Sequence, residues 1–261
     1  CSSDLGSTSL LIRGLRCLLL GLHFMWIGFG AAVIYPIVNN QKRAQLKQRW
    51  SHRILTILAI RLEAPTVDAP PGCLIVANHI SWLDIFAINA VRPSAFISKS
   101  EVRHWPFIGW LSARNDTVFL HRGSHGHARL INEEIDALLN ADRDVAIFPE
   151  GTTTDGTHLR NFHAALLQPA VETGRSILPL ALSYRDDEGN PSLAPSYAGE
   201  TTLMHCFSAI LACRALTVVV RAASAIETHG KTRRELAQQA HAAIASQLGY
   251  QTRTSSGEHG T

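Results

Sequence analysis

The sequence predicts an α/β fold, with a mainly parallel or mixed central sheet flanked by helices and an N-terminal membrane-anchoring helical segment. Three observations predict it. Short apolar, β-rich runs recur at residues 74–77, 95–98, 117–120, 145–148, 177–182 and 216–221. Patterns of helical period lie between several of them, at 81–90, 128–140 and 159–173. Strands alternating with helices close into a sheet covered by helices. The third observation is an apolar stretch ahead of all this, at 17–38, that contains no Asp, Glu, Lys or Arg.

In chain order, residues 17–38 come first. At ~1.5 Å per residue this run reaches roughly 33 Å, enough to cross the ~30 Å hydrocarbon core of a bilayer. Trp26 and Tyr35 suit a membrane interface, whereas His23 and Pro36 interrupt the span. A buried core helix is the competing reading. Residues 41–62 then read as a basic amphipathic helix. Leu46, Trp50, Ile54, Ile57 and Leu58 form its stripe beside Lys42, Arg43, Lys47, Arg49, Arg53 and Arg61. Such a helix fits an anionic membrane surface. Arg13 and Arg16 flank the other end of the apolar run, but the larger basic cluster adjoins the α/β part and favours a cytoplasmic location for it. Pro70-Pro71-Gly72 opens the α/β pattern. The division expected is 1–64 for the membrane-associated helices, 65–248 for the α/β domain and 249–261 for a polar, disordered tail.

Composition narrows the function classes. The chain has 261 residues, enough for one sizeable domain with an appendage. A net charge of +3 gives a nucleic-acid partner no support. The five cysteines are odd in number and form no C-x-x-C pair, so neither disulfides nor a structural zinc site is expected. Among known motifs, G-x-S-x-G, H-E-x-x-H and the P-loop are all missing.

The chemistry-bearing residues cluster at strand ends. Asn78-His79-Ile80-Ser81-Trp82-Leu83-Asp84 closes the apolar run 74–77. On one regular helix, side chains five residues apart diverge by about 140°. His79 and Asp84 therefore meet only if the histidine sits in the turn and the aspartate in the first helical turn. There the carboxylate would accept one ring N–H and leave the other nitrogen as a base. The same residues also read as a capping box, with Ser81 as N-cap and Asp84 three residues on. A second strand exit carries Phe148-Pro149-Glu150-Gly151-Thr152-Thr153-Thr154, and a third carries Phe119 and Arg122. Taken singly, these are an ordinary turn and a surface arginine. Histidines 121, 125 and 127 could suggest a metal, but the nearest carboxylates, Glu133 and Glu134, fall on the next helix, and no metal site is expected. Trp105-Pro106-Phe107-Ile108-Gly109-Trp110 is an apolar, turn-rich patch that fits the lining of an apolar channel, a membrane contact or plain packing.

Together and in this order, these residues resemble the glycerolipid (lysophospholipid) acyltransferase superfamily. Its His-x4-Asp motif matches His79 and Asp84. Its aromatic-then-arginine block matches Phe119 and Arg122, and its Phe-Pro-Glu-Gly-Thr block matches 148–152. A proline-containing apolar strand matches Ile177-Leu178-Pro179-Leu180. The resemblance runs from about residue 13 to 221. Two departures stand out. Thr153 occupies a place where the family often has arginine, and His163 follows Phe162 where lysine is common.

The resemblance implies an O-acyltransferase moving an acyl group from a thioester to the free hydroxyl of a lysolipid. The acceptor expected first is 1-acyl-sn-glycerol-3-phosphate, giving phosphatidic acid in phospholipid biosynthesis. Lyso-ornithine lipid is the alternative, and a catalytically inactive lipid-binding protein or a hydrolase remain further readings. His79 and Asp84 are the catalytic candidates. Phe119, Arg122, Glu150, Gly151 and Thr152 are the substrate-binding candidates, with Lys99 or Arg160 as additional cations for a phosphate. Glu150 is expected to bind acceptor polar groups or to hold Arg122, and donors at the helix start to face the developing oxyanion. No cofactor is expected beyond the co-substrate, acyl-CoA or acyl carrier protein. The partners are membrane lipids, and the location implied is the inner membrane with the catalytic domain facing the cytoplasm.

Overall fold

The computed structural model describes residues 8–115, 117–120, 125–199 and 201–250, with the main chain alone at 99, 108, 120 and 125–130. Helix α1 (Leu10–Phe29) starts at Ser9, whose side chain accepts the Ile12 N–H. A wider turn (Gly30–Ile34) and a tight one (Tyr35–Ile37, containing Pro36) prolong it. Within the apolar helical unit Leu10–Ile37, an 18-residue window reaches a mean hydropathy of 2.0. One face packs on the domain through Arg16, Leu20 and Ile27. The other exposes Leu11, Leu15, Leu18, Leu22, Met25, Trp26 and Phe29.

Helix α2 (Asn40–Ile57) is capped by Asn39, which accepts the Lys42 N–H. It stops five residues short of the expected 62. Ala59 adopts a φ of 56°, turning the chain into strand β1 (Ile60–Glu63), so Ile60 and Leu62 belong to the sheet. Next come β2 (Leu74–Ala77), α3 (Asp84–Val91), β3 (Ala95–Lys99), α4 (Ser100–Arg103) and α5 (Ile108–Arg114). The apolar patch at 105–110 spans the turn between these last two helices and the start of α5. Trp105, Phe107 and Trp110 are exposed there, and Gly28 of α1 has room for the Phe107 ring only because it lacks a Cβ, which would stand 2.7 Å from it.

The chain continues with β4 (Val118–Leu120), α6 (His125–Asn140), β5 (Val145–Ile147), α7 (Gln168–Thr173), β6 (Ile177–Arg185), α8 (Leu203–Ala212), β7 (Leu216–Ala222) and α9 (Arg233–Leu248). Among the described residues the sheet has seven strands, ordered β1-β7-β6-β2-β5-β3-β4. Strands β6, β2, β5, β3 and β4 are mutually parallel, and β7 runs antiparallel to β6. The sheet is thus mixed and mainly parallel, as the sequence predicts. Period-2 alternation splits its side chains. Ile75, Ala77, Leu180 and Leu182 pack under α1, α2, α3 and α8. Leu74, Val76, Val145 and Ala181 pack under α6, α7 and α9. In such sheets, ligand sites form beyond the C-terminal ends of the parallel strands. That is where β2, β5 and β4 deliver the three motif loops.

Candidate active site

Strand β2 ends at Ala77, and the chain turns through residues 78–83 before α3 begins at Asp84. This turn brings His79 Nδ1 to 2.8 Å from Asp84 Oδ2. Asp84 is fully buried and the His79 side chain 20% exposed. With the carboxylate accepting Nδ1–H, the tautomer is set and Nε2 is left as the acceptor, with no protein partner among the described residues. The imidazole stacks on Phe148 at 3.9 Å between centroids and 11° between planes. Its ring plane is therefore held from one side by packing and from one edge by hydrogen bonding.

The expected capping box is not formed: α3 begins at Asp84 itself, with Leu83 as its N-cap and no side-chain cap bond. Asp84 Oδ2 also accepts the N–H groups of Ile80 at 2.7 Å and Ser81 at 2.9 Å. Ser81 Oγ accepts the Leu83 N–H at 3.3 Å and is buried. Four donors around the helix start are already engaged and do not serve as free oxyanion donors. The N–H groups of residues 80, 81, 83 and 84 all have partners inside the turn, since Asp84 N–H donates to Ser81 O.

The second loop is tied to the first by main chain. Glu150, just past β5, is 4% exposed. Its Oε1 accepts the His79 N–H at 2.8 Å and its Oε2 the Arg160 N–H at 2.9 Å. Both oxygens thus hold backbone donors. Burial raises its pKa above the usual carboxylate value, opposed by the two N–H bonds. Thr154 N–H donates to His79 O at 2.8 Å, and Tyr197 N–H to Ile80 O at 3.0 Å. Gly151 has a φ of 69°, a conformation open to glycine at little cost, and a Cβ there would meet the His163 ring at 3.2 Å.

The remaining predicted residues are more scattered. Thr152 is exposed on this loop. Thr153 Oγ1 donates to Tyr197 O. Phe119, on β4, lies under the Arg103 guanidinium at 5.6 Å. Arg122 lies outside the described residues, as does the Lys99 side chain. Arg160 contributes its N–H to Glu150 while its side chain is exposed. Two residues missed from the sequence complete the site. Tyr184 O–H donates to Asp84 Oδ1 at 2.6 Å, and the Asn78 side chain pairs with both main-chain groups of Leu182. Alternation along 177–185 places Tyr184 on the face of Leu182, the one signal that marked it.

Comparison with known proteins points to one family of enzymes. The family model described as Acyltransferase matches residues 61–183. Lyso-ornithine lipid O-acyltransferase of Pseudomonas aeruginosa is 37% identical over 240 residues, covering 90% of this chain and 92% of that protein. The 1-acyl-sn-glycerol-3-phosphate acyltransferase of Neisseria meningitidis is 40% identical over 169 residues, covering 64% of this chain and 66% of that protein. The crystal structure of the 1-acyl-sn-glycerophosphate acyltransferase of Thermotoga maritima shares the fold. Its TM-score is 0.66 at 21% identity, covering 91% of this chain and 96% of that one.

Proposed function

The chain belongs to the acyltransferase family, and from that membership we propose that His79 is the general base for acyl transfer to a lysolipid hydroxyl. The protein is a lysolipid O-acyltransferase, the activity named for its relatives. The observation carrying the mechanism is the 2.8 Å contact from His79 Nδ1 to buried Asp84, which leaves Nε2 as the ring nitrogen able to accept a proton. Nε2 takes the proton from the acceptor hydroxyl as its oxygen attacks the thioester carbonyl. The C–S bond then breaks, and the imidazolium returns the proton to the departing thiolate. Asp84 stabilises the imidazolium while it lasts. Base catalysis of this kind contributes about 10²–10⁴-fold. Positioning supplies a further share, for which the Glu150 brace and the Phe148 stack are built. A thioester is already activated, so the proposed reaction draws on no cofactor. Its donor is acyl-CoA or acyl carrier protein.

For the acceptor we propose 1-acyl-sn-glycerol-3-phosphate, the substrate in the name of the 40% identical Neisseria relative. Arg122, two residues beyond β4, would meet its phosphate. A second reading, lyso-ornithine lipid, draws on the Pseudomonas relative that matches nearly end to end and on the loop Gly151 to Gly156, which carries no Lys or Arg. The apolar face of α1, extended by Trp105, Phe107 and Trp110, is compatible with membrane association. We place the enzyme at the inner membrane with its catalytic domain on the cytoplasmic side, where both donor types occur. The test is transfer from each donor to each lysolipid and to water. Acylated lysophosphatidate supports the first acceptor, and acylated lyso-ornithine lipid alone selects the second. Hydrolysis without transfer would overturn the reading.

A further inference from the structure

Strand β6 runs past the end of its neighbour. Ala77, the last residue of β2, pairs with Leu180, yet β6 continues to Arg185. In the overhang the Asn78 side chain takes over from the main-chain ladder. Its Nδ2 donates to Leu182 O at 3.0 Å, and its Oδ1 accepts the Leu182 N–H at 2.8 Å. Two residues on, Tyr184 projects to the face shared by Leu180 and Leu182, where α3 packs. Its hydroxyl donates to Asp84 Oδ1 at 2.6 Å, while Asp84 Oδ2 serves His79. Tyr184 is 4% exposed and Asp84 fully buried, so the contact is shielded from bulk solvent.

We propose that Tyr184 is a positioning residue for acyl transfer, acting through Asp84 to set how strongly the carboxylate holds the His79 imidazolium. The inference rests on the catalytic reading of His79 and Asp84 given above. The carboxylate has two oxygens with different tasks, and the phenol fixes which is which. A donor on Oδ1 locks the carboxylate plane, so that Oδ2 stays aimed at Nδ1. It also draws negative charge away from Oδ2, because hydrogen bonds on one group polarise one another. Burial, and then the charge of Asp84, raise the Tyr184 pKa well above its ordinary value, so the phenol remains a donor at any working pH. A tyrosine that merely filled space would pack there without needing its hydroxyl.

The test compares steady-state transfer by the full-length wild type, Tyr184→Phe, Asp84→Asn and the double variant. Removing the hydroxyl should lower kcat about tenfold, the scale of one net hydrogen bond to a charged group, and leave KM for donor and acceptor unchanged. With one donor fewer, Asp84 holds the imidazolium more tightly, so the acid limb of the kcat/KM profile should move to higher pH. In the Asp84→Asn background the same change should cost nothing further, because its effect passes through the lost carboxylate. Incorporating 3-fluorotyrosine at 184, a stronger donor of nearly the same size, should move the acid limb the opposite way. That variant decides the matter if Tyr184→Phe does not fold.

Wild-type kcat with an unmoved acid limb in folded Tyr184→Phe would overturn the proposal, as would an unmoved limb with fluorotyrosine. So would losses that multiply in the double variant. A His79→Ala control separates the two readings. If it is inactive while Tyr184→Phe is silent, the tyrosine alone falls. If it is active, the pair falls and this inference with it.

Discussion

Glu150 holds the main chain of His79 from 71 positions away, its Oε1 accepting the His79 N–H at 2.8 Å while Oε2 accepts the Arg160 N–H. A carboxylate in the most conspicuous loop of the chain thus braces the main chain of the proposed base. His79 is held from three directions: Asp84 at its ring nitrogen, Phe148 at its ring face and Glu150 at its backbone.

Substituting Glu150 should accordingly slow the chemistry. Glu150→Gln keeps one acceptor oxygen and turns an amide N–H₂ toward a backbone donor. Losing one charged hydrogen bond costs about 1.5–3 kcal/mol, so kcat should fall on the order of 10- to 100-fold if that strain is relieved by displacing His79. The KM for each lysolipid should change little. A raised KM with kcat intact would instead put Glu150 in the acceptor site.

Arg16 should fasten α1 to the catalytic domain. Its guanidinium is buried and donates to the carbonyls of Leu211, Cys213 and Arg214, where α8 ends. Arg16→Ala leaves those carbonyls without their donor, a loss of about 2 kcal/mol, or a Tm about 5 °C lower for a chain of this size. Hydrogen exchange in detergent should quicken along α1 and at the end of α8 before it does elsewhere. Unchanged protection in α1 would contradict the fastening role.

Asp136, on α6, offers a pH test away from the site. Burial first, and then Glu172 and Glu133, push its pKa from 3.8 to about 6. A carboxyl raised on folding gives stability that is present below about 3.8 and lost as pH rises through about 6. Asp136→Asn should therefore raise Tm at pH 7.5 by about 2 °C or more, and match the wild type at pH 4. An equal effect at both pH values would show that titration is not the cause.

Thr153 bears on headgroup choice. Its hydroxyl is engaged by Tyr197 O, and it brings no charge to the loop. Thr153→Arg should raise kcat/KM for lysophosphatidate and lower it for lyso-ornithine lipid, whose headgroup carries no phosphate. One new ion contact at a partly exposed site is worth about 1 kcal/mol, so a change of roughly fivefold in opposite directions is expected. Parallel changes for both lipids would remove Thr153 from the selectivity account.

The parts of this molecule legible in its sequence are those encoded locally. Apolar runs with β-branched residues marked six of the seven strands described, because burial of a sheet leaves a continuous signature. The His79 and Asp84 pair was legible because turn and helix start lie within six residues. β1 was hidden, since Ile60 and Leu62 also continue the apolar stripe of α2, and only the positive φ at Ala59 separates the two elements. The roles of Glu150 and Tyr184 were hidden for a different reason. Each depends on which strand end lies beside which, and a parallel sheet fixes that through contacts 71 and 100 residues apart. Backbone N–H groups, moreover, carry no signature in a sequence. Two donors near the helix start, the Ile80 and Ser81 N–H groups, illustrate the point, because Asp84 already holds them.

The most direct measurement is single-turnover acyl transfer by His79→Ala and Asp84→Asn, with circular dichroism establishing that each is folded. If His79 Nε2 is the base and Asp84 its partner, His79→Ala should lose about 10²–10⁴-fold in the chemical step while lysolipid binding persists. Asp84→Asn should lose less, and its loss should be greatest where the imidazolium must be stabilised. A folded His79→Ala protein that transfers acyl groups at the wild-type rate would contradict the account.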